Sequence, residues 1–146
     1  MCLPIEYCIS GRPASVNGKS KKKQAWKKGV DAATRTALAA KMPHKISAPY
    51  DASVMVKVYL FPASKQYTDV DNVLKYTVDG MVPSLLKNDK QVDRVVAQRV
   101  IKSRLTSILV SLPHARAIAD AIDLQNNGEF GTAIKVEIFN NKEVAW

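Results

Sequence analysis

Three short runs of this chain alternate apolar and polar side chains with period two, a fourth does so less cleanly, and the stretches between them carry the 3.6-residue period of a helix. That interleaving leaves few folds open. Leu3, Ile5, Tyr7 and Ile9 alternate with Pro4, Glu6, Cys8 and Ser10 as a half-buried strand, which Gly11-Arg12-Pro13 ends. Trp26, Val30, Ala33, Ala37 and Ala40 fall at i, i+4, i+7, i+11 and i+14, one narrow stripe on a helix from Gln24 to about Met42. Lys27, Lys28 and Arg35 lie off it, and Pro43 limits the far end. Val54, Val56, Val58 and Leu60 mark a second strand. A second helix follows over Val70 to about Val82, with Leu74, Val78, Met81 and Val82 on one face.

Val92 to Lys102 reads as a third strand and Thr132 to Phe139 as a fourth. Between them Ala115, Ile118, Ala119 and Ile122 are spaced for a short helix, with Pro113 in its first turn and Asn126-Asn127-Gly128 as its stop. The order β-α-β-α-β-(α)-β predicts an α+β fold: a single domain over 1–146 with a mixed four-stranded β-sheet and helices packed on one face. A chain of 146 residues buries a sufficient core without disulfides or a structural metal. Cys2 and Cys8, on one strand, stand roughly 20 Å apart, too far to bridge. Two free thiols suit the cytoplasm. No apolar run nears the roughly 18 residues of a membrane span, and the N-terminus lacks the basic flank of a signal peptide.

Charge is where the chain departs from the ordinary. Lys and Arg number 22 against 13 Asp and Glu, a net charge of +9, which favours a polyanionic partner. Lys19, Lys21, Lys22, Lys23, Lys27 and Lys28 supply a basic segment that would meet the phosphates of a polyanion if it lies on the same face as the acidic residues, positioning such a substrate without reading its sequence. Against that background the acidic stretch Asp69-Val-Asp71-Asn72, with Lys75, Asp79 and then Asn88-Asp89-Lys90-Gln91, stands out. Asp69 begins the second helix and Asp71 lies in its first turn, so capping and the helix dipole are sufficient reasons for both. Asp71, Lys75 and Asp79 at i, i+4 and i+8 form a polar stripe that also reads as an ion-pair ladder.

Asp89 adds a third carboxylate. The ten residues from Gly80 to Asp89 can span about 33 Å, enough to return along a helix of about 15 Å and set Asp89 beside Asp69 and Asp71. Three crowded carboxylates repel, and a hard divalent cation such as Mg²⁺ relieves that repulsion. His44 and His114 have no partner at metal-ligand spacing, and no Walker loop or Rossmann fingerprint points to an organic cofactor. Trp26 belongs to the core stripe. Tyr67, ahead of the acidic stretch, is the better base-stacking candidate.

The pattern D-x-D-N-x-x-K-x-x-x-D, followed ten residues on by D-x-Q-V, resembles the RusA-type Holliday-junction resolvases. The matching residues are Asp69, Asp71, Asn72, Lys75, Asp79, Asp89, Gln91 and Val92. The likeness extends to the opening strand, to Gly11-Arg12-Pro13 with the basic segment after it, and to the closing strand. It implies a homodimeric, Mg²⁺-dependent endonuclease (Mn²⁺ substituting) that cuts four-way junction DNA by paired, symmetrical nicks. By position, Asp69, Asp71 and Asp89 look like the metal-binding carboxylates and Lys75 like the catalytic cation near the scissile phosphate. Arg12 joins the lysines as a DNA contact. Asn88 and Thr68 depart from the family pattern, and 103–128 resembles a helical insertion. Two further readings fit the same residues: a metal-dependent nuclease acting on flaps, forks or RNA, and a junction-binding protein without catalysis.

Overall fold

The computed structural model describes residues 2–43, 49–63, 69–102 and 115–140. Along it run β1 (Ile5–Ser10), α1 (Ser20–Lys41), β2 (Val54–Phe61), α2 (Leu74–Asp79), β3 (Val92–Arg99), α3 (Arg116–Asn126) and β4 (Gly131–Ile138). The strands form one sheet in the order β1-β4-β2-β3. β4 is antiparallel to both its neighbours, and β3 is parallel to β2. The architecture is the α+β single domain with a mixed four-stranded sheet that the periodicities predict. Ser10, Phe61 and Gly131 meet at one end of the sheet, the carboxyl end of β2. Val54 lies beside Val92 and Ile138 at the other.

One face of the sheet presents Ile5, Tyr7, Val54, Val56, Val58, Leu60, Ile134 and Val136 to α1 and to the segment through Val73, Met81, Leu85 and Leu86. Burying each such aliphatic side chain contributes about 1.5–3 kcal/mol before the entropy of ordering is subtracted. Thus α1 and α2 share one face. α3 takes the opposite one, where Ala117, Ile118 and Ala121 pack with Phe61, Ala133 and Val100. The reason is in the strands: Tyr59, Phe61 and Ala133 make the second face apolar near this end. Gln125 fixes α3 there, its buried amide donating to the carbonyls of Pro62 and Val100 at 3.1 and 2.9 Å. Glu6 accepts the Ala117 N–H at 3.2 Å at the helix start. Pro113 lies outside the described residues.

Along α1 the buried stripe is Trp26, Val30, Thr34 and Leu38, so the seam drifts from Ala37 and Ala40, and Ala40 is exposed. Thr34 enters the core because its hydroxyl donates to the Val30 carbonyl at 2.7 Å and meets the Tyr7 hydroxyl at 2.8 Å. The second helix is shorter than its periodicity suggests: a 3₁₀ turn over Asp71–Val73, then α2, then turns. Gly80 ends α2 against α1. A Cβ there would sit 2.7 Å from the Val30 Cβ and 3.0 Å from the Lys27 carbonyl. Gly80→Ala is therefore expected to cost about 1–3 kcal/mol through overpacking, despite alanine's better helix propensity. Chemical denaturation checks this; a stabilised variant would show that α1 and α2 have room to separate.

Candidate active site

Asp69 and Asp71 are both exposed, on a turn anchored from beneath. Val73 and Thr77 are fully buried. The Trp26 indole N–H donates to the Thr77 hydroxyl at 2.9 Å, and that hydroxyl donates to the Val73 carbonyl at 2.9 Å. Above this anchor Asn72 organises the acids: its amide donates to the Asp69 carboxylate at 3.3 Å, and its N–H to the Asp69 carbonyl at 3.2 Å. The Asn72 carbonyl accepts from the Val16 N–H at 3.0 Å, tying the turn to the loop that leaves β1. Neither the 3₁₀ turn nor α2 has a side-chain cap. Capping does not account for Asp69, whose carboxylate keeps acceptor capacity toward solvent.

Lys75 lies one turn on, 3.6 Å from Asp79, with its side chain 56% exposed. An exposed i, i+4 pair of this kind contributes only a few tenths of a kcal/mol, so the ammonium is readily redirected.

Asp89 is exposed at the start of β3, in a turn built by its neighbours. The Asn88 side chain accepts from the Lys90 N–H at 3.0 Å, and the Gln91 side chain from the Lys87 and Asn88 N–H groups at 2.7 and 3.1 Å. Gln91 also donates to the carbonyls of Tyr50 and Ala52 at 2.6 and 3.1 Å. This capping box makes Asn88 and Gln91 positioning residues for Asp89. Its signature, Asn-x-x-Gln, was readable from the sequence.

The return of Asp89 to Asp69 and Asp71 is not met within one chain. β3 runs parallel to β2 with Val92 beside Val54, so it must start at the amino end of β2. Asn72 is bonded to the loop at the opposite end, where Gly11 donates to Phe130. The eight residues of β2 put about 25 Å between those ends. Among the described residues, no three His, Cys, Asp or Glu side chains stand together as a metal site.

The basic residues fan around the first half of α1. At 100° per residue, Lys23 and Lys27 point to the α2 side, Lys22 to the β1 loop, and Lys21 and Lys28 to solvent. The Lys23 ammonium lies 5.1 Å from the centre of the Tyr76 ring. Arg12 and Lys19 are exposed at the same end of the molecule. Among the described residues, none of these seven cations forms an ion pair with a carboxylate. The Cys8 thiol is pushed up to about 11, by burial first and by Asp120 second, so it is no nucleophile at neutral pH. Tyr67, Lys65, Thr68, His44 and His114 lie outside the described residues.

No curated protein matches the chain. The family model of endodeoxyribonuclease RusA matches residues 4–112, which hold β1 through β3, the basic half of α1 and both acidic turns. α3 and β4 lie beyond that span. With well over half its length matched, the chain belongs to the RusA endodeoxyribonuclease family, the Holliday-junction resolving endonucleases.

Proposed function

We propose that this chain resolves Holliday junctions as a homodimer, by divalent-metal-dependent phosphodiester hydrolysis with paired, symmetrical nicks. The observation that carries the reading is the exposed Asp69–Asp71 turn, held on a buried anchor, at the end of the molecule where seven cations have no carboxylate partner among the described residues. Two exposed carboxylates on one turn suit a hard cation. In kind, the all-oxygen donor set fits Mg²⁺, with Mn²⁺ as a substitute. In number, one chain's turn offers two carboxylates, and Asp89 completes the set when a second copy supplies it.

The sheet offers a way for that to happen. Among the described residues β3 ends the sheet, and it is largely exposed along its length. Its centre, Val95-Val96-Ala97, lacks the charges and prolines that usually blunt an edge. Two such edges paired antiparallel about a two-fold axis bring the start of one β3 toward the end of the other. Asp89 of one copy then approaches the end of the sheet at which the other copy carries Asp69 and Asp71.

In this reading Asp69, Asp71 and Asp89 hold the metal, which when bound supplies Lewis-acid chemistry at the scissile phosphate. Lys75 turns from Asp79 toward the phosphoryl oxygens and offsets the charge that builds on them. Arg12, Lys19, Lys21, Lys22, Lys23, Lys27 and Lys28 hold the flanking phosphates. The free thiols of Cys2 and Cys8 fit a reducing cytoplasm. No helix among the described residues is long and apolar enough to cross a membrane.

Incubation with a labelled four-way junction, a flap and a linear duplex, in Mg²⁺ and then in EDTA, tests the reading. Paired nicks are expected on the junction alone and none in EDTA. Preferential cutting of flaps or RNA would change the substrate, and binding without cleavage in any divalent metal would remove the catalysis.

A further inference from the structure

A cleft of about 500 Å³ opens between the loop leaving β1 and the first half of α1. Pro13, Ala25, Trp26 and Gly29 form its walls, and Arg12 and Lys22 stand on it with no carboxylate among the lining residues. The volume is within the roughly 300–1,000 Å³ usual for small-ligand sites. Its charge selects an anion.

Gly29 gives the cleft its meaning. A glycine in the interior of a helix costs about 1 kcal/mol relative to alanine. Gly80 is explained by close packing, but a Cβ on Gly29 would meet nothing within 4 Å. The chain's own packing does not demand this glycine; what its missing side chain preserves is the open wall of the cleft. The start of α1 points the same way. It has no side-chain cap and no acidic residue in its first turn, where Lys21, Lys22 and Lys23 oppose the helix dipole. A bound phosphate relieves that arrangement. Val16, in the loop that forms one wall, bonds to Asn72, and Trp26 in the other wall bonds to Thr77. Both walls are thereby fixed to the Asp69–Asp71 turn.

We propose that the cleft receives one unstacked nucleotide of the DNA strand beside the cut, its phosphate on Arg12 and Lys22 and its base over the bare backbone of Gly29. The inference rests on the nuclease reading and gives it a source of selectivity. A linear duplex must break a stack and a pair to fill the cleft, whereas a branch point offers a nucleotide at lower cost.

The test uses a four-way junction carrying 2-aminopurine at the branch, bound in EDTA so that no cleavage intervenes. With the native protein the fluorescence rises on binding, as the base leaves its stack. Gly29→Leu fills the cleft, and is expected to abolish that rise and lower the junction-to-duplex affinity ratio about tenfold. Arg12→Gln, at an exposed position whose loss does not threaten folding, is expected to diminish both. Native protein that binds the junction with no rise in fluorescence would overturn the cleft proposal alone. So would a Gly29→Leu protein that folds and keeps the rise, or one that changes oligomeric state and so marks the cleft as a contact between copies. Failure to bind the junction at all would overturn the nuclease reading beneath it, and this proposal with it.

Discussion

Asp71→Asn and Asp89→Asn, each inactive alone, are expected to recover nicking when the two proteins are mixed and allowed to exchange subunits. Each change removes a ligand charge, so each variant alone should lose at least about a hundredfold in cutting rate, roughly 3 kcal/mol of barrier. In a two-fold dimer with shared sites, the mixed species puts both substitutions into one site and leaves the other native. Half the dimers are mixed and each has one native site, so nicking should return to about a quarter of the native rate. The products should be single nicks, because paired cutting needs both sites. If each chain instead built its own site, the mixed dimer would have two damaged sites and no rescue would follow. Subunit exchange must be verified separately with a tagged copy; exchange without rescue removes the shared site. Asp71→Asn should meanwhile keep or strengthen junction binding, since it deletes a negative charge beside the DNA. Loss of folding together with binding would make Asp71 a structural residue.

What the sequence allowed and what it withheld divide along physical lines. Val54 to Leu60 alternates because one of its faces is deeply buried and the other only partly so, and both this strand and β4 lie where the alternation puts them. β3 alternates poorly for a matching reason: much of it is exposed, so neither face was required to be apolar. The position of α3 depended on Tyr59, Phe61 and Ala133, whose contribution to a second apolar face emerges only once β2 and β4 pair. Thr34 reads as polar and is buried through a partner on β1, a contact between residues far apart in sequence. The acidic residues themselves were legible as types and spacings. Their arrangement in space was not, because chain length bounds how far Asp89 can travel and says nothing of direction. The parallel pairing of β3 with β2 decides that direction.

Val95→Asp is expected to separate the dimer and, with it, to silence cleavage. Val95 is 39% exposed near the middle of the terminal strand, so a carboxylate there should leave the monomer's sheet and core intact. Across a two-fold axis the substitution appears twice, and the two carboxylates meet as like charges. Such a juxtaposition costs several kcal/mol, so the dimer should weaken at least about a hundredfold. Sedimentation should therefore find a folded monomer, and the junction assay should find binding without paired nicks. The decisive arm mixes Val95→Asp with Val95→Lys. Each repels itself, yet the two attract one another, so the mixture should re-form a dimer and regain cutting that neither variant has. A Val95→Asp protein that stays dimeric would move the interface off β3. One that is monomeric and still cleaves would show that a single chain gathers its own ligands and that Asp89 does not serve a neighbouring copy.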